Sequence, residues 1–259
     1  MRLNDKVAII TGAGTGIGRA AMALFAGEGA KVVGCGRTKE TGDETLRLVK
    51  DAGGDAVFVA ADARLASDAK RVVEAAVAAF GKIDILINNA GVGWSYPGSM
   101  GPLVDTPEAD WDDVVSITLK SVYLMSKYAI PEMRKAGGGA IVNVASIMAL
   151  RGFAEAHAYI AAKAGVVALT QAMATTYGPE KIRVNCLAPG ATDTPMLASR
   201  MPFVNALLDN PATRYNFATL GRVGTPEEMA RALLYLSSDD ASFTNGATLV
   251  VDGGWTAHL

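Results

Sequence analysis

The stretch V-A-I-I-T-G-A-G-T-G-I-G, from Val7 to Gly18, decides the reading of the fold. Its first four residues form an apolar run of strand length, and R-A-A-M-A-L-F after Gly18 has helical spacing, so the glycines fall in a strand-to-helix turn. Glycines at 12, 16 and 18 let the backbone turn sharply. They also bring an anion such as a diphosphate onto the helix N-terminus, where free N–H groups and the dipole favour negative charge. The spacing is not G-x-G-x-x-G, and a tight turn without a ligand is the plain alternative. N-N-A-G, Asn88 to Gly91, weakens that alternative, because it ends a later strand on the edge where open parallel sheets bind ligands.

Working outward, short Val- and Ile-rich runs recur at 7–10, 31–33, 56–59, 83–87, 140–144, 182–187 and 247–251. Helical patterns lie between them near 17–28, 39–51, 67–79, 107–135, 157–176 and 226–237. Seven such runs alternating with helices predict an α/β fold, a Rossmann-like, doubly wound parallel sheet of about seven strands. Ser67, Thr106 and Thr225 are expected helix caps, the last two followed by Pro in the first turn. No linker, charge run or repeat divides the chain, so residues 1–259 read as one domain. The long connection at about 191–224 is expected to be a substrate lid.

Composition narrows the function. Lys and Arg number 24 against 26 Asp and Glu, a net charge of -2, which gives no electrostatic case for nucleic acid or an anionic membrane. A small-molecule partner is expected instead. The N-terminal residues lack a signal-peptide pattern, and no apolar stretch reaches the length of a spanning helix. Cys35 and Cys186 offer neither a disulfide framework nor metal-ligand spacing, so a cytoplasmic protein with buried thiols and no metal is expected.

Tyr159 and Lys163 stand four positions apart in a helical stretch, so both side chains leave one face. A phenol with an ordinary pKa near 10 exchanges protons poorly at neutral pH. An ammonium about 4 Å away at an effective dielectric of about 20 contributes roughly 4 kcal/mol, which predicts a fall of up to about three units. Ser146 follows the fifth strand and precedes Tyr159 by thirteen positions, and its hydroxyl is a candidate to polarise a substrate oxygen. Alone, Y-x-x-x-K describes many helices with a buried Tyr and a solvated Lys. Joined to Ser146 and both glycine motifs, it points to catalysis.

T-G-x-x-x-G-x-G, N-N-A-G, Ser146, Y-x-x-x-K and P-G at 189–190 stand in the order of the short-chain dehydrogenase/reductase family, which the chain resembles from Lys6 to Trp255. The resemblance implies an NAD(P)-dependent alcohol dehydrogenase or ketone reductase with Ser146, Tyr159 and Lys163 as catalytic residues. It implies cofactor contacts at Gly12, Thr15, Gly16, Ile17, Gly18, Arg37, Asp62, Asn89, Gly91, Pro189, Gly190, Thr192 and Thr194, with Tyr159 and Lys163 also touching the cofactor. Asp62 is expected near the adenine, although a solvent-facing cap explains it equally well, and Thr194 is expected near the nicotinamide carboxamide. The family's Asn on the central helix is replaced by Thr118, which puts a water-linked proton relay there in doubt. A homotetramer is also implied.

The end of the second strand reads Gly36, Arg37, Thr38, with no carboxylate to repel a 2′-phosphate, which favours NADP over NAD. A solvated Arg37 that merely stacks on adenine is the other reading. Candidate substrate contacts are Ser146, Trp94, Met148, Phe153 and Met196. Tyr96, Met100, Leu197, Met201, Phe203 and Leu208 are expected around them. This lining suggests an apolar alicyclic or aryl ketone or alcohol, though lid packing or a subunit contact accounts for loop apolarity too. His157, two residues before Tyr159, is expected at the substrate mouth or in packing, and His258 lies near the chain end. A non-catalytic dinucleotide sensor or regulatory protein is the alternative, disfavoured by the intact Ser146, Tyr159 and Lys163. A methyltransferase would share the glycine turn but leave the Ser, Tyr and Lys spacing unexplained.

Overall fold

The computed structural model describes residues 1–93 and 96–257, with the backbone alone at 215 and 216. Seven strands form one sheet: β1 Val7–Thr11, β2 Lys31–Gly36, β3 Ala56–Ala60, β4 Ile85–Asn88, β5 Gly139–Val144, β6 Ile182–Pro189 and β7 Thr248–Val251. All neighbours are parallel, in the order β3-β2-β1-β4-β5-β6-β7. Helices α1 Gly16–Gly27, α2 Lys39–Asp51 and α9 Pro226–Ser237 cover one face, and α3 Ala66–Phe80, α5 Ser121–Lys135 and α6 His157–Tyr177 cover the other. Successive residues of β1 serve both layers: Ala8 and Ile10 pack toward α1 and α9, Ile9 toward α3 and α5. Burial on two faces is why the strands read as unbroken apolar runs, and each fully buried Ile or Leu contributes about 1.5–3 kcal/mol. The chain runs outward from β1 to β3 and then returns to place β4 on the other side. Strand order reverses there, opening a crevice at the C-terminal ends of β1 and β4.

Several local expectations are corrected. The stretch 107–135 is not one helix: α4 Glu108–Val115 passes through a π-helical turn, Ser116–Lys120, before α5 begins. Ser121 Oγ donates to Ile117 O at 2.6 Å within that widened turn. Ser67 lies inside the first turn of α3, whose cap position is Leu65, and the Thr106 hydroxyl turns back to Pro102 O instead of capping α4. Thr225 does cap α9, in a capping box with Glu228. The region 191–224 carries α7 Met201–Asp209 and the short α8 Arg214–Phe217. Among the described residues no helix is long and apolar enough to cross a membrane.

Candidate active site

The turn after β1 fits a dinucleotide diphosphate on its own geometry. Thr15 precedes α1 without capping it through its side chain, so N–H groups of the first turn remain open to an anion. Gly16 has a φ of 52°, and a Cβ at Gly18 would lie 2.2 Å from Gly12 O, so the turn admits no side chain there. Asn89 fixes this turn from the next strand, its Nδ2 donating to Thr11 O at 3.0 Å and Gly12 O at 3.3 Å. Beside the turn is a cleft of about 230 Å³ whose walls include Gly12, Thr15, Arg37, Asp62 and Gly91.

Arg64 pairs with Asp62. Its Nε and Nη2 donate to Asp62 Oδ2 at 2.9 and 2.6 Å, and its Nη1 reaches Asp113 on α4, which also accepts from the Tyr96 hydroxyl. Burial acts to raise the Asp62 pKa, but hydrogen bonds and charge from Arg64 outweigh it and hold the carboxyl below its ordinary range. Asp62 therefore lines the cleft as half of an ion pair. Arg37 is exposed on the same wall, where the Asp62 and Asp113 carboxylates feel its charge.

At the C-terminal ends of β4, β5 and β6 a second cavity, of about 350 Å³, holds Ser146, Tyr159 and Lys163 together in its lining. β5 delivers Ser146, whose Oγ accepts from Met148 N at 3.2 Å, so its oxygen is positioned by the turn that follows. α6 delivers the other two. Lys163 is 4% exposed and donates to Val144 O at 2.7 Å, its ammonium 5.8 Å from the Tyr159 ring centroid. The anticipated lowering of Tyr159 is not found. Burial pushes the phenol above its ordinary pKa, and the Ser146 hydroxyl offsets only part of that rise. The same burial lowers Lys163 to about 8, so desolvation competes with the charge expected to activate the tyrosine.

Thr118 sits in the π-helical turn, 1% exposed, and its Oγ1 has no hydrogen-bond partner among the described residues. A buried hydroxyl in that state costs about 1–3 kcal/mol unless a bound molecule meets it. Asn88, the first residue of N-N-A-G, is structural: its Nδ2 donates to Asn143 Oδ1 at 2.8 Å, and Asn143 passes the chain to Thr170 on α6. This link between β4, β5 and α6 was not foreseen. Cys35 and Cys186 are buried and free, with burial raising them to about 12 and about 11.

Ile17, Asn89, Gly91, Pro189, Gly190, Thr192 and Thr194 line the cavity near the cofactor turn, and Met148, Phe153 and Met196 line the far side. Trp94 and His258 lie outside the described residues. Tyr96 is turned toward Asp113, Met100 packs against the cluster of Ile147, Met148 and Ala156, and Met201 and Leu208 pack against the cluster that includes Leu197 and Val204. His157 does not line the cavity; its Nδ1 meets Gly101 O at 3.2 Å. Phe203 and Leu197 are cavity residues as expected. Val204, Leu207, Phe217, Trp255 and Arg200 join them without having been expected. Trp255 packs edge-on to Phe153, centroids 5.9 Å apart, and at 4.2 Å from Phe217. Met196 lies against the backbone of Gly93, where an added Cβ would come within 1.8 Å of Met196 Cγ.

Comparison with known proteins agrees with this architecture. Residues 12–256 match the family described as Enoyl-(Acyl carrier protein) reductase. The chain is 43% identical to cis-4-hydroxycyclohexanecarboxylate dehydrogenase of Sinomonas cyclohexanicum, covering 98% of this chain and 97% of that one. It is 37% identical to cyclohexanol dehydrogenase of an Acinetobacter species, over 99% and 97%. The solved structure of levodione reductase superposes with a TM-score of 0.91 at 34% identity, covering 100% of both chains. A parallel sheet with its glycine turn, over relatives of this identity and coverage, defines a nicotinamide-type oxidoreductase fold; the chain belongs to the short-chain dehydrogenase/reductase family.

Proposed function

We propose that the protein interconverts alicyclic secondary alcohols and ketones with NADP(H), using Ser146, Tyr159 and Lys163. The observation that carries the proposal is the placement of Ser146 and Tyr159 in a cavity with an aromatic wall of Phe153, Phe217 and Trp255. Two relatives are named for alicyclic alcohols, which supports the same substrate class.

When bound, the nicotinamide cofactor supplies or accepts the hydride. Gly12, Thr15, Gly16, Gly18 and Asn89 would hold its diphosphate, and Thr192 and Thr194 line the cavity beside Lys163, where the nicotinamide end belongs. Ser146 donates a hydrogen bond to the substrate oxygen. Tyr159, protonated at neutral pH because burial raises it, gives its proton to that oxygen in ketone reduction and takes one in alcohol oxidation. Lys163, fixed by Val144 O, holds positive charge beside the phenol and would help to hold the cofactor's ribose. Thr118, unpartnered and buried, suits the support of a water-linked relay. Apolar walls keep bulk water from the reacting carbon.

Support for NADP is the exposed Arg37 beside the cleft, unopposed by any carboxylate at Gly36; NAD is the alternative. In the same reading, residues 191–224 act as a lid, since Met196 and α7 close the cavity over Gly93. Two buried thiols support a reducing, cytoplasmic setting. The edge position of β7 and the fully exposed Phe243 support a homotetramer with self-complementary interfaces.

The test is turnover of cyclohexanol, cyclopentanol and the matching ketones with each cofactor, followed by nicotinamide absorbance. Saturable turnover of the ring substrates is expected, with acyclic alcohols slower. Tight dinucleotide binding with no turnover of any ring substrate would instead favour the sensor.

A further inference from the structure

We infer that the substrate carries a carboxylate across the ring from its reacting carbon, and that Arg200 recognises it. The inference rests on the function proposed above and adds a specificity-determining residue to it. Among the described residues lining the cavity, the charged side chains are Lys163 and Arg200, and no Asp or Glu is present. Lys163 is buried and committed to Val144 O beside Tyr159. Arg200 stands elsewhere, exposed, on the lid immediately before α7. The same cavity is also lined by the apolar side chains of Val204, Leu207, Phe217 and Trp255.

A neutral ring alcohol uses the hydroxyl site and the apolar wall but gives the guanidinium nothing to bind. A ring directs opposite substituents to opposite ends, so an oxygen held by Ser146 and Tyr159 sends the other substituent away from them, to another part of a lining that includes Arg200. A guanidinium pairs bidentately with a carboxylate, and a cavity without an acidic side chain does not repel one. Arg200 already has an interaction in this structure, and it is exposed, so binding exchanges one contact for another in a screened setting. The gain therefore belongs at the low end for a charged hydrogen bond, about tenfold.

The experiment compares 4-hydroxycyclohexanecarboxylate, its methyl ester and cyclohexanol as substrates of the intact enzyme. The ester keeps the shape and removes the charge. The parent enzyme should show kcat/KM for the acid about tenfold above that for the ester at low ionic strength, through KM, and the gap should narrow as salt is added. Arg200→Gln should bring the acid-to-ester ratio close to one, and Arg200→Lys should retain part of it, because ammonium keeps the charge without the fork. A parent that treats acid and ester alike overturns the inference while leaving the alicyclic function standing. So does an Arg200→Gln change that lowers both substrates equally, which would make Arg200 a lid anchor. Failure to turn over any ring alcohol or ketone would overturn the proposed function and this inference with it.

Discussion

Replacing Tyr159 by Phe removes one oxygen from the site and little else. The ring packs among Val92, Val114, Ile117 and Met148 and would keep those contacts, so the fold should persist. The lost hydroxyl interacts with Ser146, and a single such hydrogen bond contributes about 0.5–1.5 kcal/mol to stability. Catalysis should suffer far more. A positioned general acid contributes on the order of 10²–10⁴ in rate, or about 3–5 kcal/mol of barrier at roughly 1.4 kcal/mol per decade. The expected result is a kcat lowered by that factor in both directions, with dinucleotide Kd within about twofold, since the glycine turn is untouched. The pH profile gives a second readout. Alcohol oxidation needs the phenolate, and burial keeps the phenol above its ordinary pKa, so oxidation by the parent should rise toward tenfold per pH unit through neutrality. Ketone reduction, which uses the protonated form, should stay flat over the same range. A Phe variant with kcat within about threefold of the parent, or with the same rising oxidation profile, would refute the assignment.

Lys163→Met should weaken dinucleotide binding and turnover yet raise the melting temperature at pH 7. A buried lysine lowered to about 8 is destabilising while charged, and that penalty fades as pH rises from about 8 toward the unfolded value near 10.5, so the gain in the variant should shrink over the same window in calorimetry. Arg37→Ala should reduce kcat/KM for NADP about tenfold or more while NAD changes little, and Gly36→Asp should shift preference further toward NAD; equal losses for both cofactors would remove Arg37 from selectivity. Thr118→Val should slow turnover with KM nearly unchanged and Thr118→Asn should preserve it, whereas an equal, small stability gain in both without a rate effect would leave Thr118 outside the relay. Together with the acid-to-ester comparison at Arg200, these measurements separate cofactor, proton and substrate roles.

The sheet was legible because both its faces are buried: V-A-I-I is apolar throughout and A-I-V-N-V is broken only by the hydrogen-bonded Asn143, and that pattern survives in a single sequence. The glycine turn was legible because Gly18 tolerates no Cβ, and Y-x-x-x-K because helical spacing alone places both residues on one face. The break in the central helix was not legible, since Ser116–Lys120 carries ordinary helix formers and only the Ser121 side chain answers the displaced carbonyl. Thr106 looked like a cap by residue type, but its hydroxyl found a nearer carbonyl. Arg64 and Trp255 were missed for a different reason: their roles depend on neighbours 49 positions away at Asp113 and about a hundred away at Phe153, which no local pattern reveals. Arithmetic on the Tyr159 and Lys163 charges erred because it omitted desolvation, a quantity set by the whole fold.

The two clefts described above draw on different parts of the chain. The cleft beside the glycine turn is walled by residues up to Ile117, while the cavity that holds Ser146 and Tyr159 is lined chiefly from Val144 onward, with Ile17 and the stretch from Asn89 to Gly93 added from earlier in the chain. Only a short strip, with Gly91 shared by both, belongs to the two at once. Variation in the later segment is thereby free to explore new ring sizes and ring substituents without renegotiating how the coenzyme is held. An ancestral scaffold of this kind passes on a constant redox engine with an exchangeable mouth, and substrate range in its descendants is expected to change by drift in α7 and the aromatic wall long before the glycine turn changes at all.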